Sequence, residues 1–298
     1  MKHAVREPNY NFHSPLSPPQ ITVESGEVFT CDTELNTGNW LGGEDDHWTP
    51  EKDRALNPTV VIAVEGAEPG DILAVDVLEV TPEDVGYTGF TAEKNPLANL
   101  IRIHDWGVNE KTVRIKEGWV HWSGGVKLPV KPMIGTLGTA PKEEILSNAK
   151  GGLHGGNMDV QEVAPGATVY LPVEVPGALL HVGDVHALQG DGEINCAGGI
   201  ECRSTVRLRA RIVKRPESYA CVRIENQEYI MAVSCERSLE ESFYKAASEI
   251  IGWMSEDYGF TVREAYLLMG QVLEARCTQF VNPTRSYICK MPKKHLGK

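Results

Sequence analysis

The 298-residue chain has no apolar run approaching the roughly 20 residues a membrane-spanning helix needs, and Met1–Pro19 carry no apolar stretch of a secretion signal. It has no Cys-x-x-Cys pair. Its seven cysteines (Cys31, Cys196, Cys202, Cys221, Cys235, Cys277 and Cys289) are odd in number and scattered. That excludes a disulfide framework or a thiolate zinc site and suits reduced thiols in a cytoplasmic protein. Positive charge is short, with 29 Lys and Arg against 41 Asp and Glu and a net charge of −12. So acidic a chain repels nucleic acid and anionic lipid. There is no Gly-x-Ser-x-Gly elbow, no Walker loop and no dinucleotide fingerprint, so neither an elbow serine nor a nucleotide cofactor is indicated.

What is present reads first as strands. Hydrophobic residues make up 41% of the chain and charged residues 23%, the balance of a globular protein with a real core. Ile72–Val80 follows the turn Glu68-Pro69-Gly70-Asp71, and Thr59–Val64 is a β-branched run of the same kind. Val206–Val213 alternates, with Val206, Leu208, Ala210 and Ile212 on one face and Arg207, Arg209 and Arg211 on the other. In so acidic a chain this arginine row reads as the solvated face of a sheet rather than a nucleic-acid stripe. After Arg237 the period changes. Ser238 with Glu241 and Thr261 with Glu264 are capping-box pairs. They open two helices whose apolar stripes run Phe243, Ala246, Ala247, Ile250, Ile251, Met254 and Val262, Ala265, Leu268, Met269, Val272, Leu273. Asp257-Tyr258-Gly259 separates them, and the tail from Asn282-Pro283 returns as extended chain. The expected class is α+β, mainly β, with C-terminal helices. The expected division is a β-rich 1–125 and a 126–298 holding the chemistry and the helices, with strands of both free to mix. A chain of this size with an exposed edge or helix face is expected to pair as a symmetric homodimer.

Gly151–Glu193 is the informative stretch. It contains GGLHGGNMD (Gly151–Asp159) and GDVHALQGDGE (Gly183–Glu193). Polar residues stand two apart in Asn157/Asp159, Asp184/His186 and Asp191/Glu193, and in extended chain such neighbours face the same side. Carboxylates with an imidazole suit zinc, manganese or, with more oxygens, calcium. Such an ion polarises a carbonyl and lowers the pKa of bound water, while a nearby carboxylate moves the proton. A blander reading stands beside each pair. Asp and Asn next to Gly form turns, Asp191-Gly192 is a hairpin pair, His154 suits a loop, and His186 suits a hydrogen-bonded core.

These stretches resemble the acetamidase/formamidase family of amide hydrolases. The resemblance is carried by VEGAEPGD (Val64–Asp71), PMIGTLGTAP (Pro132–Pro141), HGGNMD (His154–Asp159), GDVHALQGDGE and GGIE (Gly198–Glu201), with VNP (Val281–Pro283) and Met291-Pro292 after them. It implies hydrolysis of a short aliphatic amide to carboxylate and ammonia, on a jelly-roll-like β sandwich with a smaller barrel-like β region. On this resemblance Asp159, Asp184 and His186 are expected as metal ligands, with Asp32 as a further ligand or else a turn aspartate. Glu193 is the expected general acid/base. His154, Asn157, Asp191 and Glu201 are expected to bind substrate or support the ligands, and Gln189 stands where the family varies. The expected cofactor is a divalent metal, zinc first, with calcium or manganese as alternatives. Three rivals stay open: a non-catalytic calcium-binding β module, an amidase of lactams or cyclic imides, and a cysteine amidase using Cys202.

Overall fold

The long strands explain the architecture. In this computed structural model, which describes all residues but 92–94, 96, 103–108 and 298, Ile72–Phe90 pairs antiparallel with Ala197–Val213. The ladder is broken by irregularities between Ala197 and Glu201, Cys202 and Ser204, and Arg207 and Leu208. Such bulges bend a strand and add twist, which lets one 18-stranded sheet curl into a half-barrel. The protein is mostly β, with 43% strand and 14% helix.

Burial follows the side-chain pattern. Thr59–Val64, Met133–Gly138 and Leu180–His186 are buried along their whole lengths and pair side by side in the middle of the sheet. Phe29, Ile62, Leu73, Leu171, Val182 and Leu208 belong to the core they enclose. The arginines of Ala197–Val213 face outward. Arg209 and Arg211 pair with Asp76 at 2.7 and 2.9 Å, and Arg207 pairs with Glu79 at 2.9 Å. The row is therefore the charged outer face of a sheet, neutralised within the chain.

Strands from before residue 125 and after 126 interleave in this sheet. Val28–Thr33 pairs with Ala197–Val213, and Thr59–Val64 with Leu180–His186. The C-terminal helices run Leu239–Tyr258 and Val262–Val272. Ser238 caps the first by accepting from the Glu241 amide, Gly259 ends it at φ 73°, and Thr261 with Glu264 closes a full capping box on the second. Ala246, Ile250, Met254, Ala265 and Met269 pack as a second core on Ile230, Ala232 and Met291 of the outer strands. The tail returns as the strand Arg285–Pro292, beside Tyr229–Glu236 and Glu274–Gln279.

Candidate active site

Asp184 and His186 close the strand Leu180–His186, which hydrogen-bonds Met133–Gly138 on one side. On the other, His186 stands opposite Glu201 in Ala197–Val213. Asp159 follows the short strand Gly155–Asn157, and Glu193 follows Gly192. Three of these carboxylates sit on left-handed backbone, with φ of 49° at Asp159, 55° at Asp184 and 36° at Glu193. Non-glycine residues adopt that region at a cost, and such outliers concentrate at functional sites. Glycines give the carboxylates room. A Cβ on Gly135 would lie 2.6 Å from Asp159 Oδ1, and one on Gly198 only 1.9 Å from Glu193 Cγ.

Asp159, Asp184, His186, Glu193 and Glu201 are all nearly fully buried. Donor atoms of Asp159, His186 and Glu193 lie within 4.8 Å of one another, as do those of Asp184, His186 and Glu201. His186 Nε2 is 3.3 Å from Glu201 Oε2 and 3.6 Å from Asp184 Oδ1. Five buried atoms of this cluster make no hydrogen bond: Asp159 Oδ1, Asp184 Oδ1, His186 Nε2, Glu193 Oε2 and Glu201 Oε2. The other oxygen of three carboxylates is held by an asparagine. Asn282 Nδ2 donates to Asp159 Oδ2 at 2.8 Å, Asn57 Nδ2 to Asp184 Oδ2 at 3.0 Å, and Asn36 Nδ2 to Glu201 Oε1 at 3.0 Å. Thr136 Oγ1 donates to Asn157 Oδ1 at 2.8 Å and lies 3.3 Å from Asp184 Oδ2.

Buried polar atoms are normally paired, so five orphans in one place need a physical reason. Burial and the Asp184 charge raise the Asp159 carboxyl to about 7. Burial, with Asp184 beside it, raises Glu201 to about 8, and burial with Asp159 pushes Glu193 well above the carboxylate range. Burial works against a charge on His186, but Glu201 and Asp184 outweigh it and raise the imidazole well above its usual value. Four carboxyls face one imidazole, and the cluster is short of positive charge. Its donor set, oxygens with one imidazole nitrogen, suits a divalent cation.

Asp184, Glu193 and Glu201 of the cluster line a cavity of about 300 Å³, together with Asn36, Asn57, Asn157 and Asn282. A larger cleft of about 530 Å³ lies along the helix Leu239–Tyr258 and contains no cluster residue.

The structure reassigns several residues expected from the sequence. Asp32 does not join the cluster. In Val28–Thr33 the side chains alternate, Cys31 and Thr33 turn inward, and Asp32 turns out to accept from Thr205 Oγ1 at 2.7 Å beside His3. Asp191 is also outside: its side chain is exposed and pairs with Arg276 at 2.8 Å. His154 belongs to a separate group of buried imidazoles with His13 and His181. Glu201, expected in a supporting role, is a full member of the cluster. The sequence reading missed Asn36, Asn57, Thr136 and Asn282. Thr136 and Asn282 lie inside two of the quoted motifs; Asn36 and Asn57 carry no local signal.

A model of the Acetamidase/Formamidase family matches residues 2–151 and 149–294. The chain belongs to this family. It is 28% identical over 271 residues to an acetamidase of Mycolicibacterium smegmatis, covering 70% of this chain and 66% of that protein. It is 26% identical over 263 residues to a formamidase of Methylophilus methylotrophus, covering 69% and 64%. The chain thus spans just under two thirds of the length of the curated relatives it matches. An acetamidase structure from Bacillus halodurans superposes with a TM-score of 0.91 at 27% identity, covering 99% of this chain and 100% of that one.

Proposed function

We propose that this protein hydrolyses a short aliphatic amide, formamide or acetamide, to carboxylate and ammonia in the cavity lined by Asp184, Glu193 and Glu201, with Asp159 and His186 in the same cluster. The family supports an amide substrate. One observation supports a divalent cation as cofactor: five buried donor atoms, in two groups that share His186, lack partners, while asparagines hold the far oxygens of three of the carboxylates. His186 Nε2 would hold the cation with Asp184 and Glu201, or with Asp159 and Glu193. The imidazole favours zinc or manganese over calcium. When bound, such an ion supplies Lewis-acid polarisation of the amide carbonyl and makes water more acidic.

The chain's own residues do the rest. Asn57 and Asn282 fix the planes of Asp184 and Asp159, so their free oxygens stay aimed inward without reorganisation. Asn157, held through Thr136, presents a side-chain amide to the cavity that suits a substrate amide. Glu193 has a free Oε2, and it is available for proton transfer when the cation sits with Asp184, His186 and Glu201. It takes a proton from the attacking water and returns it to the departing nitrogen, which leaves as ammonia. A raised carboxyl pKa suits such an acid/base group. The small volume and the apolar Ala55, Leu56, Val281 and Pro283 at the wall fit a short acyl chain.

The test is ammonia release from formamide, acetamide and propionamide, before and after chelation and with zinc or manganese restored. Turnover that falls on chelation and returns with the metal supports the reading. No cleavage at any metal loading overturns it, and cleavage indifferent to chelation overturns the cation.

A further inference from the structure

Gln189 lies beside the cluster without touching the cavity, and its side-chain amide is buried. Nε2 donates to two backbone carbonyls, Asp159 O at 2.9 Å and Thr278 O at 3.2 Å. A carbonyl only accepts, so this pair fixes which end of the amide is which. The reversed amide would press its oxygen against two other oxygens and leave both unsatisfied in the interior. Oε1 must therefore face His186 Nδ1, at 2.9 Å. An amide oxygen is only an acceptor, so Nδ1 must carry the hydrogen between them. The remaining nitrogen, Nε2, points at Glu201 Oε2 and Asp184 Oδ1 and has no hydrogen-bond partner.

We propose that Gln189 is a positioning residue that keeps a hydrogen on Nδ1 of His186 throughout the working cycle and so makes Nε2 its single working nitrogen. Two consequences follow. The same side chain ties His186 to the backbone of Asp159, so one residue sets two members of the cluster that come from different segments. The two donor groups share His186, and Nε2 has one lone pair. They are therefore alternatives, and the chain takes one imidazole-bound ion rather than two. The assignment to amide hydrolysis rests on the function proposed above; the hydrogen position does not.

The test is nitrogen NMR of the full-length protein, labelled with ¹⁵N only in histidine, with the His186 resonances identified by their loss in His186→Gln. A protonated Nδ1 before and after zinc is added, with only Nε2 responding to zinc, is the expected result. An unprotonated Nδ1 overturns the proposal in the wild-type protein alone, whatever the variants do. Gln189→Leu removes the acceptor and is expected to let the hydrogen of the neutral, zinc-free imidazole move between Nδ1 and Nε2, and to weaken zinc binding by roughly 10- to 100-fold, the usual effect of losing such a partner. Gln189→Glu keeps an acceptor oxygen and is expected to keep the Nδ1 hydrogen. If Gln189→Leu folds and keeps both the Nδ1 hydrogen and wild-type zinc affinity, Gln189 only packs and the proposal falls. Absence of amide turnover in a wild-type protein that carries the Nδ1 hydrogen sinks the proposed function and not this inference.

Discussion

His181 gives a prediction in which pH acts on the fold rather than on the chemistry. His13, His154 and His181 are buried together, with ring centroids 4.3 Å apart for His13 and His181 and 4.9 Å for His13 and His154. Burial and the neighbouring His154 push His181 down to about 3, burial pushes His154 down to about 4, and burial with both neighbours holds His13 well below its usual value. An unfolded histidine takes its proton near 6.5. Between that value and about 3 the unfolded state therefore binds a proton at His181 that the folded state refuses, and stability falls as pH falls. From about pH 7.5 to about pH 5 the loss at this one residue is about 2 kcal/mol, from a slope of about 1.4 kcal/mol per proton per pH unit. The carboxyls of Asp159, Glu193 and Glu201 act in the opposite sense in cation-free protein. Their folded-state pKa values are raised, so acid relieves the cost of burying them. The raw pH curve mixes both effects, and a difference curve separates them. His181→Gln removes one of the refusing groups while keeping a donor toward Thr59, which His181 meets at 2.8 Å. Urea unfolding of both proteins across this range should show the wild type losing about 2 kcal/mol more than the variant on acidification. Parallel curves would mean that His181 is already protonated in the folded protein or reaches water, and would refute the reasoning.

Three further outcomes follow from particular contacts. Gly198→Ala puts a methyl where Glu193 Cγ lies and should lower kcat on the order of 100-fold with a near-normal far-UV spectrum, since a shift of about 1 Å suffices for that; full activity would remove Glu193 from the mechanism. Arg223→Met strands Glu249, which keeps only the amides of Ala220 and Cys221 as donors. It should cost about 3–5 kcal/mol in urea unfolding, and Arg223→Met/Glu249→Met should recover much of that. Cys202 is buried, its thiol pushed up to about 12 by that burial and donating to Val185 O. Cys202→Ala should therefore leave amide turnover within about a factor of two, whereas a nucleophilic cysteine would lose nearly all of it.

How much of this was legible in the sequence depended on whether the chain is extended where a residue sits. The rule that residues two apart share a side gives the right outcome for Asp184 and His186, which both end in the cluster, although Asp184 itself is left-handed at φ 55° within Leu180–His186. It fails for Asp191 and Glu193. The backbone turns left-handed at Gly192 and Glu193, so Glu193 goes into the cluster and Asp191 out to Arg276. Asp32 was legible after all: in Val-Phe-Thr-Cys-Asp-Thr the apolar Phe29 and Cys31 take the inner face, which sends Asp32 outward. Glu201 was legible only in a supporting role, because the irregular register between Ala197 and Glu201 that sets it opposite His186 shows in no alternation pattern.

The asparagines were hidden for a different reason, and it bears on the chemistry. Asn36, Asn57 and Asn282 come from three separate segments, each donating to one oxygen of one carboxylate. A site meant only to neutralise buried carboxylates would be expected to satisfy both oxygens of each, or to pair them with Arg or Lys. Here the donors are neutral and stop at one oxygen per carboxylate. The carboxylates are thereby held in place while their remaining oxygens keep the capacity to bind. That division of labour is costly in an empty interior and favourable around a cation, so ion binding should stabilise the fold as well as the site. Saturating zinc should raise the unfolding midpoint of the wild type clearly more than that of Asp184→Asn. Equal shifts would place the ion elsewhere on the chain.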